Sequence, residues 1–298
     1  MKIISRRRYF FIFSGILVLV SLVLFFLWGL KLGIDFTGGA LMELNLQKNQ
    51  ISKEVVRQKL NDLAIAGFNI QFSSEGNALV RFATDGDEKN LEIRNKIIEK
   101  LPEVEITRTE FISSIISQEL RNKTFRAIFL AIIGIVIYIA LAFRKVSYPV
   151  KSWKYGLAAV IALAHDIIIT VGVFVFLGKY WNLEVGVAFI AALLTILGYS
   201  VNDTIVVFDR IRENLLRAGS KENFEETVNK SINETLGRSI NTSLTVILVL
   251  LALIFWGGTS LFEFSLALLV GVFFGTYSSI FVASALLVEF WQRDLAKR

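Results

Sequence analysis

The chain has 298 residues, 54% of them hydrophobic and 19% charged, with two prolines, 25 phenylalanines and no cysteine. That balance excludes a soluble domain of this length and indicates a protein that crosses a membrane several times. Disulfides and thiolate metal sites are excluded with the cysteines, and a single histidine, His165, leaves no histidine-built metal centre. The net charge of +6 sits at the ends and in short segments between apolar runs, while residues 31–123 are nearly balanced. Such placement points to orientation in a bilayer, not to nucleic-acid binding.

A hydrocarbon core about 30 Å thick needs about 20 apolar residues of helix. The first such run, near 10–30, follows Arg6, Arg7 and Arg8. It is longer than the roughly 7–15 apolar residues of a cleaved signal and is expected to stay as an anchor. Residues 32–123 then change character. "LMELNL" alternates with Met42, Leu44 and Leu46 on one side, and 52–66 has helical spacing through Val56, Leu60 and Leu63, with Gly67 to close it. "FNIQF", "SEGN" and "ALVRF" make a hairpin, and 87–101 is a second helix with Leu91, Ile97, Ile98 and Leu101 apolar and Pro102 beyond its end. "VEITRTEF" alternates last, completing βαββαβ, the ferredoxin-like split motif.

From 124 onward, apolar runs near 125–143, 155–177, 185–208, 240–257 and 263–290 bring the number of transmembrane helices to six. Lysine and arginine gather at the N-terminus (1–31 includes it and span 1), at Arg144, Lys145, Lys151 and Lys154, in a segment at about 209–237, and in the tail with Arg293, Lys297 and Arg298. Both termini are therefore expected in the cytoplasm and the ferredoxin-like domain outside it. The segment 209–237 suits either an interfacial amphipathic helix or a solvated loop. The fold class is an α-helical polytopic membrane protein with an extracytoplasmic domain between spans 1 and 2.

Polar residues inside the spans carry the chemistry. A carboxylate at mid-bilayer depth costs about 2.5–3.5 kcal/mol on insertion scales, so it usually faces the protein interior and marks an ion path. Asp203 lies near one end of the fourth span, and Thr195, Tyr199 and Asn202 or Asp203 form one polar stripe. Arg238 opens the fifth span, and Asn241 or Thr242 and then Thr245 continue its face. Pairing of Arg238 with Asp203, against a role as an ordinary positive anchor, stands even on spacing alone. Asp166 is near the middle of the third span beside His165, although neighbours in sequence diverge by about 100° around a helix. Gly271 and Gly275 form a GxxxG, which permits close helix approach.

Five motifs in order resemble the SecF family, which works with SecD beside the bacterial Sec translocon. They are "GIDFTGG" (33–39), "ALAHD" (162–166), "GYSVNDTIVVFDRIRE" (198–213), "RSINTSLT" (238–245) and "GTYSSIF" (275–281). The motif positions include Gly33, Asp35, Phe36, Gly38, Gly39, Gly198, Tyr199, Ser200, Thr204, Asp209, Arg210, Asn241, Gly275 and Tyr277. Two departures stand out: "FISSIISQEL" (111–120) replaces a GPxVG-like stretch, and Ala285 stands where a proline is common.

The resemblance implies half of an RND-type transporter in the bacterial inner membrane, completed by SecD. It implies use of the proton (or sodium) motive force to promote preprotein export, without a cofactor other than the transported H+ or Na+. Asp203 and Arg238 match the family's relay positions, with Asn202, Asp166 and Thr242 as supporting candidates. Implied partners are SecD, SecYEG with YajC and YidC, and unfolded preprotein at the outer domain. Alternatives are a small-molecule or lipid exporter half, or a purely structural translocon subunit. An enzyme is not expected, since no nucleophile–base set appears.

Overall fold

The computed structural model describes residues 2–46, 51–63, 68–72, 76–82, 84, 86–143, 149–218 and 223–296. Two compact units emerge, one of Lys31–Ala127 with Trp181–Val187, the other of Met1–Leu30, Ile128–Tyr180 and Ala188–Arg298. In chain order, a 3-10 turn (Ile4–Arg6) and helix α1 (Arg7–Trp28) come first, followed by the one-turn helix α2 (Ile34–Thr37). Then come β1 (Gly39–Asn45), α3 (Lys53–Asn61), β2 (Asn69–Phe72), β3 (Asn77–Phe82), α4 (Asp87–Lys100) and β4 (Glu105–Ile112).

The four strands form one antiparallel sheet in the order β2-β3-β1-β4, the arrangement the βαββαβ pattern requires. Met42 faces Val80 across the ladder, and Ala40 faces Phe82. These side chains join Leu44, Leu46, Val56, Leu60, Ile97 and Leu101 in one buried core. Alternation on β3 puts Ala78, Val80 and Phe82 on that face. Ser52 caps α3 by accepting from Val55 N at 3.4 Å. On α4 the inward stripe is Ile93, Ile97 and Leu101, spaced i, i+4, i+8. Leu91 and Ile98 are 53% and 40% exposed, because both lie about 100–120° around the helix from the centre of that stripe. The expected helix-closing Gly67 and the turn residues Ser74 and Glu75 lie outside the described residues, as do Arg144, Lys145, Lys297 and Arg298.

Among the described residues, six helices are long and apolar enough to cross a membrane. They are α1, α5 (Ser114–Ala142), α6 (Ser152–Trp181), α7 (Val187–Ala218), α8 (Phe224–Trp256) and a last span built of α9 (Thr259–Ser278), a π-helical turn (Ser279–Ala283) and α10 (Ser284–Leu295). At "FISSIISQEL", Ser113 starts α5 by accepting from Ile116 N at 3.4 Å, so a serine cap opens the second span.

The π turn immediately precedes Ala285, the other departure. There the Ser284 hydroxyl donates to the Ser279 carbonyl at 3.0 Å, a side-chain bond across the wide turn. Gly271 meets α7 closely: a Cβ there would lie 2.2 Å from Ile196, and one at Gly275 would lie 3.1 Å from Ser200. The GxxxG therefore seats the last span against the fourth.

Within 209–237 the described residues are not a solvated loop or a separate interfacial helix but the ends of two long helices. α7 runs on to Ala218 and α8 begins at Phe224, with Asn223 capping it. Phe224, Val228 and Ile232, spaced i, i+4, i+8, are buried with Ile211, Phe208 and Leu287 in the core of the helical unit. Its amphipathic character is spent on its own bundle. Ile3 N and Ile4 N donate to Asn229 Oδ1 at 2.8 and 3.3 Å, and Arg7 pairs with Glu225 and Glu289 at 3.4 and 3.6 Å. By contrast, α1, α5 and α8 present exposed apolar rows such as Ile12, Leu19 and Phe26, Phe129 and Leu130, and Leu248 and Val249.

Candidate ion-relay site

Asp166 on α6 and Asp203 on α7 are carboxylates set within the apolar spans of the helical unit. Asp166 has no exposed surface. Its Oδ2 accepts from Ser200 Oγ on α7 at 2.6 Å and from Ser278 Oγ on the last span at 2.8 Å. Its Oδ1 lies 2.9 Å from His165 Nδ1. The two neighbours thus meet although their Cβ directions diverge. The imidazole stacks on Tyr277 at 6.1 Å between centroids, while its Nε2 is buried with no hydrogen-bond partner.

Asp203, half-buried, accepts from Ser239 Oγ on α8 at 2.6 Å through Oδ1 and from Ser279 Oγ through Oδ2. Ser278 and Ser279 are adjacent and flank the start of the π turn, so one point on the last span holds both carboxylates. Ser200 and Asp203, spaced i, i+3, present the same face of α7 to it. A ladder of hydroxyls continues from there: Tyr199 OH donates to Ser243 Oγ at 3.0 Å, and Ser243 Oγ contacts Thr276 Oγ1 at 2.5 Å. Two hydroxyls donated to a carboxylate suit a group that alternates between charged and neutral, because the serines can turn and accept when the acid carries a proton.

The expected pairing of Arg238 with Asp203 is not present. Among the described residues no lysine or arginine forms an ion pair with either carboxylate; His165 alone lies within that range. Arg238 is exposed, as are Asn241, Thr242 and Thr245. The face of α8 turned inward is Ser239 and Ser243, 1% and 4% exposed. These lie one residue on from Arg238 and Thr242, about 100° around the helix, enough to replace one stripe by the other. Asn202 and Thr195 are likewise exposed, Thr195 bonding back to Ala191 O at 2.8 Å. Asp166, Ser200, Tyr199 and Tyr277 are brought together, Tyr277 joining α1 through Ser14 at 3.2 Å. Thr204 is buried with its hydroxyl unpartnered, and Gly198 is exposed.

Other motif residues serve elsewhere. Arg210 bonds Glu213 and Glu234, both at 2.7 Å, and Asn214 reaches Ser231 and Glu234 at 2.9 and 2.7 Å, tying α7 to α8; Asp209 pairs with Arg212 at 3.0 Å. Gly33, Asp35, Phe36, Gly38 and Gly39 belong to the βαββαβ unit. Gly38 (φ 74°) and Gly39 (φ 127°) take backbone conformations that a Cβ disfavours, and so launch β1 out of α2. Sequence reasoning missed Ser239, Ser278 and Ser279, which donate to the carboxylates, and Ser243 and Thr276, which extend the hydroxyl ladder. Their signal was present in the doubled serine of "GTYSSIF" and the i, i+4 serines of "RSINTSLT".

Six apolar spans among the described residues, with one fully buried and one half-buried carboxylate held by hydroxyls between them, define a multi-pass membrane protein. Residues 93–293 match the family described as protein export membrane protein SecD/SecF, C-terminal, and residues 23–50 match the SecD/SecF GG motif. The protein translocase subunit SecF of Thermobaculum terrenum is 44% identical, with 99% of this chain and 95% of that one covered. That of Sebaldella termitidis is 39% identical over 96% and 91%. A crystal structure of SecDF, a translocon-associated membrane protein from Thermus thermophilus, superposes with a TM-score of 0.82 at 37% identity. It covers 97% of this chain, and the chain spans 38% of that SecDF chain. The chain belongs to the SecF family.

Proposed function

We propose that the chain acts as the SecF-type half of an ion-driven export machine. Paired with a SecD-type partner in the bacterial cytoplasmic membrane, it uses H+ or Na+ flow to promote preprotein translocation, and it is a transport subunit, not a catalyst. The observation that carries this reading is the pair of carboxylates, Asp166 fully buried and Asp203 half-buried, held by hydroxyls on three helices with no lysine or arginine among the described residues within ion-pairing distance of either. Desolvation raises the proton affinity of such a group and an approaching guanidinium lowers it. Arg238 therefore acts as the movable cation, arriving in one conformation and absent in another.

The exposed polar row Arg238, Asn241, Thr242 and Thr245 supports a partner half. Lipid does not solvate such a stripe, so a second set of helices is needed to cover it. SecYEG, YajC, YidC and unfolded preprotein follow as further partners from family membership. The test is preprotein translocation into vesicles holding this chain and a SecD-type partner, with the ion gradient intact or collapsed. A gradient-dependent gain is expected; equal translocation in both conditions overturns the reading. Orientation is checked in the cysteine-free chain by labelling: Glu99→Cys reacts from outside the cell and Arg217→Cys only from within, and the reverse pattern refutes it.

A further inference from the structure

The connector between the third and fourth spans, Trp181–Val187, belongs to the same compact unit as Lys31–Ala127. It is held there by several independent contacts. Val185 N donates to Lys31 O at 2.8 Å and Gly33 N to Val185 O at 3.0 Å, making Leu32 and Val185 a parallel bridged pair. Asp35 Oδ2 accepts from Val187 N, the first residue of α7, at 2.7 Å. A Cβ at Gly186 would stand 2.4 Å from that oxygen, so only glycine lets the carboxylate reach the helix start. Glu184, 6% exposed, takes Arg81 Nη1 of β3 at 3.1 Å and Lys31 Nζ at 3.7 Å. Lys31 Nζ also donates to Asn182 Oδ1 at 3.1 Å.

A short connector between two long helices ordinarily absorbs their motion as slack. Here its last four residues are each fixed, by an ion pair at Glu184, by backbone pairing at Val185, by close approach at Gly186 and by a carboxylate cap at Val187. The chain then continues without interruption into the helix that carries Asp203. We propose that Asp35 and Glu184 are positioning residues of a closed latch, which makes the connector part of the βαββαβ domain. Through it, displacement of the first turn of the fourth span reaches the domain as a rigid push. This proposal rests on the gradient-driven reading above, since that reading supplies the motion to be transmitted.

Asp35→Ala removes the cap, while Asp35→Asn keeps an acceptor oxygen for Val187 N. In vesicles with the partner, Asp35→Ala is expected to lose at least four-fifths of the gradient-dependent gain at unchanged assembly, and Asp35→Asn to retain most of it. The chain has no cysteine, and bridged strands run about 4.8 Å apart, within disulfide reach. Adding Leu32→Cys and Val185→Cys to Asp35→Ala, with a cysteine-free partner, should restore the gain when oxidised and lose it again on reduction. A group that binds ions or substrate cannot be replaced by a disulfide. Full gain in Asp35→Ala, loss in Asp35→Asn, or an oxidised triple variant no better than Asp35→Ala overturns the latch. Amide exchange at Val185 and Val187 reads it independently of export: at least tenfold faster exchange is expected in Asp35→Ala, and unchanged protection overturns the latch. A wild type without gradient-dependent gain refutes the gradient reading alone, and the latch then stands or falls on exchange.

Discussion

Asp203→Asn separates the charge of the relay from its shape. Asparagine keeps one acceptor oxygen for Ser239, which donates at 2.6 Å, and turns an amide toward Ser279. The Ser279 hydroxyl already reaches Thr276 O at 3.1 Å, so it can accept from that amide and still donate. Both contacts keep a chemically matched partner, and the net cost is about 0.5–1.5 kcal/mol, the worth of one ordinary hydrogen bond. Asp203→Ala instead leaves Ser239 with no acceptor and should cost about 1–3 kcal/mol. The functional consequence is larger. One charge moved through 100 mV supplies about 2.3 kcal/mol, about a fifty-fold bias between two helix arrangements. An amide neither takes up nor releases a proton near neutral pH, so on the relay reading that bias disappears. Translocation into vesicles at matched protein levels, with the gradient intact or collapsed, should show the gain abolished in Asp203→Asn while thermal stability in detergent barely moves. A variant that keeps the full gain refutes the relay, and the carboxylate is then a fastener between helices.

Asp166→Ala strands His165, Ser200 and Ser278 together, and should cost about 2–5 kcal/mol in detergent unfolding, far more than Asp166→Asn. Ser278→Ala and Ser279→Ala should be non-additive in a double-mutant cycle on gradient-driven translocation, with a coupling of about 0.5–3 kcal/mol; additivity within about 0.3 kcal/mol shows the two carboxylates to be independent. In the βαββαβ domain, Leu60→Ala empties a fully buried site and should cost about 2–5 kcal/mol, read as faster proteolysis within the domain of the otherwise intact chain.

Periodicity made most of the fold legible. A strand that alternates through Met42, Leu44 and Leu46 has one way to bury those side chains, and a run of about 20 apolar residues has one stable form in lipid. Where two stripes on one helix were both polar, sequence did not choose between them. On α8 both the Arg238–Thr242–Thr245 row and the Ser239–Ser243 row are hydrophilic, and only packing decides which turns inward. On α4 the helix was legible from its apolar residues, while packing alone selected the i, i+4 stripe through Ile93 for burial. Helix boundaries near 209–237 were obscured because charge density there resembles a loop, while the buried residues Phe224, Val228 and Ile232 recur at a period that charges between them conceal.

The inward choice on α8 has a physical cause. Serine carries little side-chain entropy and little bulk, so Ser239 and Ser243 let α8 approach the last span closely. Arginine on that face would hold the helices apart and pin Asp203 in its charged form. With the serines inside, Asp203 is stable either as an anion that accepts two hydroxyl bonds or as an acid that donates one back. With Arg238 one residue outside, a modest rotation of α8 is enough to bring the cation toward the carboxylate. A permanent ion pair makes a strong fastener and a poor switch, because leaving one partner buried alone costs about 3–5 kcal/mol. On the relay reading proposed above, hydroxyls that change roles without moving, beside a cation that moves without leaving its helix, would keep both states within reach of the roughly 2.3 kcal/mol that one charge and 100 mV provide.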